Sequence, residues 1–594
     1  MCGFLGIISK ENIDHEKLID ANQIQTCRGP DSTKLIKGEL KNGLNYGYIF
    51  NRLSIIDLDE KAMQPMVSND LDYILMFNGE VFNHKNLRKE LESKLVQFKT
   101  SHSDTEVLLN GLIKFGNNYI KKINGQFSIS FLNQKLNNLL LVRDRLGQKP
   151  MFYFKDTKKI IFGTNLRSLQ SYLQKEINDQ SIYNYLSLDV VPSPDTIFKD
   201  IYKLKPSQML EIDLNTFNIK TDERYWKIEE FIGDKKLSYE QFLSVFSDSV
   251  IERLEADVPI GIFLSGGLDS TSIIKQIKNF GHQINSFSMI TNEKKYNEET
   301  WSNEVAKKYT TNHKKEIVSS KISNSTILDS IQIFDEPYSD PSSVPSYLLS
   351  KLISNHYKVA ISGDGGDELL GGYNRISQII KSREFNLDSF VDPLFKIYPN
   401  LLGTGNKIMK NHKNPEKALA SYHEDIKFTN LLKINPNINY KTTFTGDYEL
   451  FKMLMISEYN FFLSEKMLLK VDRTSMANSL EVRSPFVDHR LIELFLNSNY
   501  LEKNYTNPKI YLKNFIKNDF SENFFNRPKQ GFVFNLESWI FNNVNFIFDF
   551  VENSVFLDKS QVKQLKNLSK IKTRMNANRI WKVFFLEIFL RNKA

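Results

Sequence analysis

The sequence predicts two folded parts of different class. A sheet-rich α+β domain covers about residues 2–220, and an α/β domain built on a parallel sheet follows, its last part helical. Three observations predict this. The chain has 594 residues, more than one hydrophobic core usually holds. Up to about residue 220, short apolar stretches succeed one another between turns, the pattern of strands. Beyond residue 240, apolar strands alternate with amphipathic helices, the rhythm of a parallel sheet covered by helices.

In the first part, strands are expected at Gly3–Ile8, Tyr46–Ile56, Tyr73–Phe77, Phe127–Leu132, Leu139–Arg143, Met151–Phe154 and Lys159–Phe162. Two helical patterns interrupt them, at Asn86–Lys94 and Asp104–Phe115, the second with a cap signal at Ser103-Asp104. Residues 221–240 are charged and lack apolar periodicity, so they are expected to be a linker. The second part, 241–594, opens with strand Pro259–Leu264 and helix Ser270–Phe280. Strand Ile284–Ile290 and helices Glu298–Tyr309, Ile327–Phe334 and Pro345–Ser354 come next, then strand Tyr357–Ile361. After about residue 375 helices dominate.

Composition excludes several classes. Apolar residues make up 41% and charged residues 25%, which is ordinary globular usage rather than disorder or collagen. No stretch approaches the roughly 18–20 apolar residues of a membrane span. The formal charge of +8 is mild for this length, and no aromatic RNA-binding motif accompanies it, so no nucleic-acid partner is expected. The two cysteines, Cys2 and Cys27, argue against a disulfide framework and for a reducing cytoplasm.

One phosphate-binding signal stands in the second part. Phe263-Leu264-Ser265-Gly266-Gly267-Leu268-Asp269-Ser270 lies where an apolar strand becomes a helix, the place where ligands collect in a parallel sheet. Gly266 and Gly267 let the backbone approach an oxyanion, Ser265 and Ser270 add hydroxyl donors, and the helix N-terminus favours negative charge. Asp269 makes sense beside a phosphate only with Mg²⁺ between them. No Gly-Lys-Ser/Thr follows a glycine loop, so this is not a Walker-type site; the string resembles the pyrophosphate-loop motif of the ATP pyrophosphatases. A second strand-end loop, Ser362-Gly363-Asp364-Gly365-Gly366-Asp367-Glu368, gathers acids that would repel one another unless a cation relieves them.

The first part carries another chemistry. With Met1 removed, Cys2 combines a thiol with a free α-amine of pKa near ~8, nucleophile and base in one residue. Arg52, Phe77-Asn78-Gly79-Glu80 and Ser103-Asp104 follow at the ends of apolar segments. Asn78 and the Gly79 N–H suit an oxyanion, Arg52 suits a carboxylate, and Glu80 and Asp104 suit an ammonium.

These motifs resemble the glutamine-hydrolysing asparagine synthetases of the B type over nearly the full chain. Further landmarks are Arg28-Gly29-Pro30-Asp31, Arg143-Asp144-Arg145-Leu146-Gly147-Gln148-Lys149-Pro150 and Asp335-Glu336-Pro337. Others are Ser479-Leu480-Glu481-Val482-Arg483-Ser484-Pro485-Phe486 and Arg527-Pro528-Lys529-Gln530-Gly531-Phe532. The resemblance implies an N-terminal-nucleophile hydrolase domain with an αββα sandwich, then a synthetase domain of adenine-nucleotide α-hydrolase type. Cys2 would attack the glutamine amide, Asn78 and Gly79 would hold the oxyanion, and Arg52, Asn78, Glu80 and Asp104 would hold glutamine. Leu264, Met289, Ser362 and Gly363 match positions that contact ATP, and Asp269 and Asp367 match Mg²⁺ ligands. Asp364 stands where many relatives carry a glutamate of the adenylation step, and Lys529 matches a lysine that stabilises charge as ammonia attacks the acyl adenylate.

Aspartate would be the acceptor, ammonia would travel through an internal tunnel, and homodimers are common among such proteins. Cys27 replaces a histidine that many relatives carry. The rival acceptor is another carboxylate, such as a uronic acid of a surface glycan. Intact Cys2, Asp269, Asp367 and Lys529 speak against a non-catalytic protein, and Cys2 speaks against a β-lactam-forming ligase.

Overall fold

The computed structural model describes residues 2–592, apart from 292–297, 311, 319–321, most of 385–421, 438–449, 501–503, 505 and 527–533. In the first part, strands β1 (Gly3–Ser9), β2 (Ser32–Glu39), β3 (Asn45–Arg52), β4 (Met66–Val67), β5 (Tyr73–Val81) and β6 (Gly125–Asn133) come first. Then follow β7 (Asn138–Arg143), β8 (Phe152–Lys155), β9 (Lys159–Gly163), β10 (Tyr202–Lys203), β11 (Gln208–Asp213) and β12 (Asn218–Arg224). They form two six-stranded sheets, ordered β10-β8-β9-β1-β3-β2 and β12-β11-β7-β6-β5-β4. The pairs are antiparallel throughout.

The sheets stack on a shared core in which Phe4, Ile8, Phe50 and Phe162 of one meet Ile74, Met76, Leu132 and Leu141 of the other. Each outer face is covered by helices. Leu5, Ile7 and Ile49 pack with Leu18 and Ala21 of α1 (His15–Gln23) and with Leu166 and Leu169 beyond β9. Leu75, Phe77, Phe127 and Ile129 pack with Leu87 and Leu91 of α2 (His84–Ser93) and with Val107 and Leu108 of α3 (Asp104–Phe115). The result is a helix–sheet–sheet–helix sandwich. β1 is buried along its whole length because both of its faces are covered.

The expected strand Tyr46–Ile56 stops at Arg52. The apolar residues beyond it serve another contact: Leu53 and Ile55 pack against Val359 and Met476 of the second part. The strand expected to end at Phe77 runs on through Asn78, Gly79 and Glu80 to Val81. Helix α3 has the expected limits, but Ser103 makes no side-chain cap bond, and Asp104 Oδ2 instead accepts from the Val81 N–H at 3.1 Å. β12 runs into the stretch read as linker, and a helix begins at Tyr239, capped by a reciprocal Ser238–Gln241 box.

In the second part, β13 (Ile260–Phe263), β14 (Asn285–Thr291), β15 (Asn312–Val318), β16 (Val359–Ile361) and β17 (Glu481–Arg483) form a sheet of order β15-β14-β13-β16-β17. It is parallel, as the alternation predicts. Helices dominate after residue 366. The last of them, Arg574–Arg591, reaches the first part, where Lys582 Nζ donates to the Leu186 carbonyl at 3.0 Å. Among the described residues no helix is long and apolar enough to cross a membrane.

Candidate active sites at the strand ends

Cys2 immediately precedes β1 and is buried. Its N–H donates to Asn78 Oδ1 at 2.9 Å, joining the first sheet to β5 of the second. The Asn78 amide donates in turn to Ser128 Oγ at 3.3 Å. Gly79 has φ +150° and a Cβ there would stand 1.9 Å from the Gln126 carbonyl, so only glycine fits between Asn78 and Glu80. Burial pushes the Cys2 thiol up, while a contact with the Leu53 carbonyl and the Arg52 charge pull it down.

Glu80 and Asp104 are both buried. Burial raises Glu80 well above the carboxylate range, and Glu481 adds to this, against the pull of Arg483. Burial likewise raises Asp104, with His84 and the Val81 N–H opposing it. Arg52 lies in the same region, but its guanidinium donates to the carbonyls of Asp59, at 2.9 Å, and Asp57.

In the second part, the loop after β13 turns into helix Leu268–Asn279 through Gly266 at φ +75°, where a Cβ would meet the Trp301 backbone at 2.6 Å. Ser265 Oγ accepts from the Gly267 N–H at 3.1 Å and lies 3.2 Å from Ser270 Oγ. The Leu264 N–H donates to the Phe287 carbonyl of β14 at 2.8 Å, two residues before Met289. The loop after β16 touches this turn: a Cβ on Gly363 would lie 3.1 Å from Asp269 Cβ. Ser362 N–H donates to the Arg483 carbonyl at 2.9 Å, and Ser484 Oγ donates to the Asp364 carbonyl. The structure therefore brings Ser265–Ser270 together with Ser362–Asp367 at adjacent strand ends.

Two family models match the chain. One described as glutamine amidotransferase domain covers residues 1–226, and one described as asparagine synthase covers residues 241–591. The chain belongs to the asparagine synthase family. It is 29% identical to asparagine synthetase [glutamine-hydrolyzing] 1 of Bacillus subtilis, over 99% of this chain and 96% of that protein. Identity is 32% with putative asparagine synthetase [glutamine-hydrolyzing] 2 of Methanocaldococcus jannaschii, over 80% of this chain and 98% of the other. With asparagine synthetase [glutamine-hydrolyzing] 3 of Bacillus subtilis it is 28%, over 84% and 81%.

The structure adds residues to this family member's site that the sequence reading gave no role. Lys509 is buried, and its Nζ reaches Asp269 at 2.5 and 2.8 Å and Asp367 at 2.6 Å. It stands before helix Ile510–Ile516, 240 residues from Asp269, and no local motif marks it. The two carboxylates thus converge on one cationic group, and an oxygen-rich pair of this kind also fits a hard divalent cation. Glu481 and Arg483 stood in a landmark motif without a role; Arg483 comes within 3.3 Å of Glu80 from the second part, and the Glu481 charge acts on the same carboxylate. Lys529 lies outside the described residues.

Between the two sites lies a cavity lined by Gln126 and Lys149 from the first part and by Ser362, Asp364, Val482 and Ser484 from the second. Gln126 stands opposite Glu80 in the β5–β6 register.

Proposed function

We propose that this asparagine synthase family member forms asparagine from aspartate, ATP and glutamine nitrogen. The carrying observation is a cavity between the two parts, lined by Ser362 and Asp364 of the loop after β16 and by Gln126, which stands opposite Glu80 in the β5–β6 register. Both family models and relatives along the full chain support the reading.

With Met1 removed, the Cys2 nitrogen held by Asn78 becomes the amine that takes the thiol proton. The thiolate attacks the glutamine side-chain carbonyl, Asn78 and the Gly79 N–H receive the oxyanion, the Cys2 ammonium passes its proton to the nitrogen that leaves as ammonia, and water frees glutamate from the thioester. Glu80 and Asp104 hold the glutamine ammonium; burial raises both, and a bound cation relieves that penalty. Arg52 takes the carboxylate through N–H groups beyond those spent on Asp57 and Asp59.

In the second site, Ser265–Ser270 cradles the phosphates at a helix N-terminus while Leu264, Met289, Ser362 and Gly363 contact the nucleotide. Asp269 and Asp367 would hold Mg²⁺, which supplies charge neutralisation at the phosphates. The aspartate β-carboxylate displaces pyrophosphate from the α-phosphorus near Asp364. Ammonia arriving through the cavity then displaces AMP, with Lys529 stabilising the charge that develops. The cytoplasm suits these substrates and keeps the two unpaired cysteines reduced.

Pyrophosphate release with Mg-ATP and glutamine, with and without L-aspartate, tests the reading, asparagine being followed by mass. Aspartate-dependent pyrophosphate with matching asparagine is expected. Glutamate release with no aspartate-dependent pyrophosphate would move the acceptor to another carboxylate.

A further inference from the structure

Arg483 stands where the two sites meet. Its side chain is fully buried. Nε donates to Glu481 Oε1 at 2.6 Å, and Nη1 donates to the carbonyls of Arg253 at 3.1 Å and Glu255 at 2.6 Å. These acceptors fix the plane of the guanidinium. Nη2 thereby lies 3.3 Å from Glu80 Oε1 across the domain boundary. The approach lacks hydrogen-bond geometry, and Glu80 Oε2 is buried with no hydrogen-bond partner. A shift of a few tenths of an ångström would tighten or break the pair.

The backbone of the same residue holds the other site. β17 pairs in parallel with β16, Arg483 opposite Ile361, and the Arg483 carbonyl accepts the Ser362 N–H at 2.9 Å. One residue therefore touches, by side chain, the acid assigned to the glutamine ammonium and, by main chain, the loop assigned to ATP. Resting on the function proposed above, we propose that Arg483 is a positioning residue that orients Glu80 for glutamine and ties that orientation to nucleotide binding at Ser362. Whatever settles the Ser362–Gly363 loop moves β17, and the guanidinium transmits that movement to a carboxylate in the glutamine pocket. A link through a single residue has a two-sided consequence, because coupling between binding sites is reciprocal.

Glutamate release by the purified full-length enzyme gives the test, with the glutamine KM measured with and without Mg-ATP. Wild type should show a several-fold fall in KM on adding Mg-ATP. Arg483→Lys keeps the charge but cannot serve a carboxylate, two carbonyls and Glu80 from one plane. Its KM should rise about tenfold, the weight of one lost buried guanidinium–carboxylate contact, with kcat changed less and no response to Mg-ATP. Glu481→Gln, which loosens the guanidinium without adding a buried ammonium, should show the same loss of response, and it serves if Arg483→Lys fails to fold. In Glu80→Gln the added Arg483→Lys change should do little more. A wild-type KM indifferent to Mg-ATP, variants that respond as wild type does, or effects of Glu80→Gln and Arg483→Lys that multiply would each overturn the proposal. Failure of wild type to make asparagine from ammonia, aspartate and Mg-ATP would sink the amidation reading instead, leaving the glutamine KM comparison intact.

Discussion

Arg28 meets Asp472 in a buried two-point ion pair, Nη1 at 2.9 Å and Nη2 at 3.1 Å, while its Nε donates to the Cys2 carbonyl at 3.2 Å. Asp472 belongs to the second part and also accepts from Arg473 at 2.7 Å. Arg473 in turn binds Asp335, whose Oδ2 accepts the Leu166 N–H of the first part at 2.9 Å. The nucleophile's own backbone is thus fastened to the partner domain. These cations hold Asp472 well below the ordinary carboxylate range despite burial.

Breaking this pair leaves the buried Asp472 carboxylate with Arg473 as its remaining ion-pair partner. Arg28→Met should lower stability by up to about 3 kcal/mol, the low end for a buried pair losing one partner, because Arg473 still faces Asp472. Because Cys2 loses its anchor as well, glutamate release should fall more than ammonia-dependent pyrophosphate release. Equal urea midpoints for variant and wild type would remove the structural weight given to this link.

Cys2→Ala separates the two chemistries. The thiol is the only group removed, and the Cys2 N–H bond to Asn78 is a backbone bond that survives. Glutamine-dependent asparagine formation should disappear, while synthesis from ammonia should stay within about twofold of wild type, since loss of one sulfur atom in the first part leaves the residues of the second site in place. Loss of both activities would assign Cys2 a structural role instead.

The sandwich core and both strand-end loops were legible in the sequence because their signals are local: apolar runs for β1, β5, β6 and β7, and glycines beside acids at residues 265–270 and 362–368. The strands that escaped are sheet edges, except β11, which lies between β12 and β7. β2, β12 and β15 each close one end of a sheet, and their polar, lysine-bearing sequences suit exposure rather than burial. Lys509 and the Arg28–Asp472 pair escaped for another reason. Their partners lie 240 and 444 residues away, so no spacing rule joins them. Glu80 was legible as an acid in a motif, but its contact with Arg483 depends on how two domains dock.

Lys509 balances Asp269 and Asp367, which outweigh its burial and raise its affinity for the proton. Lys509→Met leaves both carboxylates without that ammonium. In EDTA the variant should melt a few degrees below wild type, because two partly buried carboxylates lose the ammonium between them. Mg-ATP should restore more of the difference than it adds to wild type, because a bound dication replaces the missing charge. A melting temperature in EDTA equal to that of wild type would show that Lys509 is not the counter-charge of this pair.

Glu458 fastens the acidic loop to the helical region and sets a pH dependence. Its buried carboxylate accepts from Arg375 Nε at 2.9 Å and also binds Nη2, and it lies 3.2 Å from His423 Nε2. Arg375 stacks on Tyr373, with 4.0 Å to the ring centroid, and the Tyr373 hydroxyl donates to Glu368 at 2.8 Å. Burial alone would raise Glu458; Arg375 and His423 bring it down to about 2. An unfolded glutamate titrates near ~4.3, so the folded protein holds the ionised form by about two units, or roughly 3 kcal/mol. That stability is complete above about pH 5 and drains away as pH falls towards 2, where both states become protonated. Glu458→Gln should therefore be less stable than wild type at pH 7, and the gap between their urea midpoints should close steadily below pH 4.5. A gap that stays constant from pH 7 to pH 3 would mean that Glu458 contributes through packing and not through its charge.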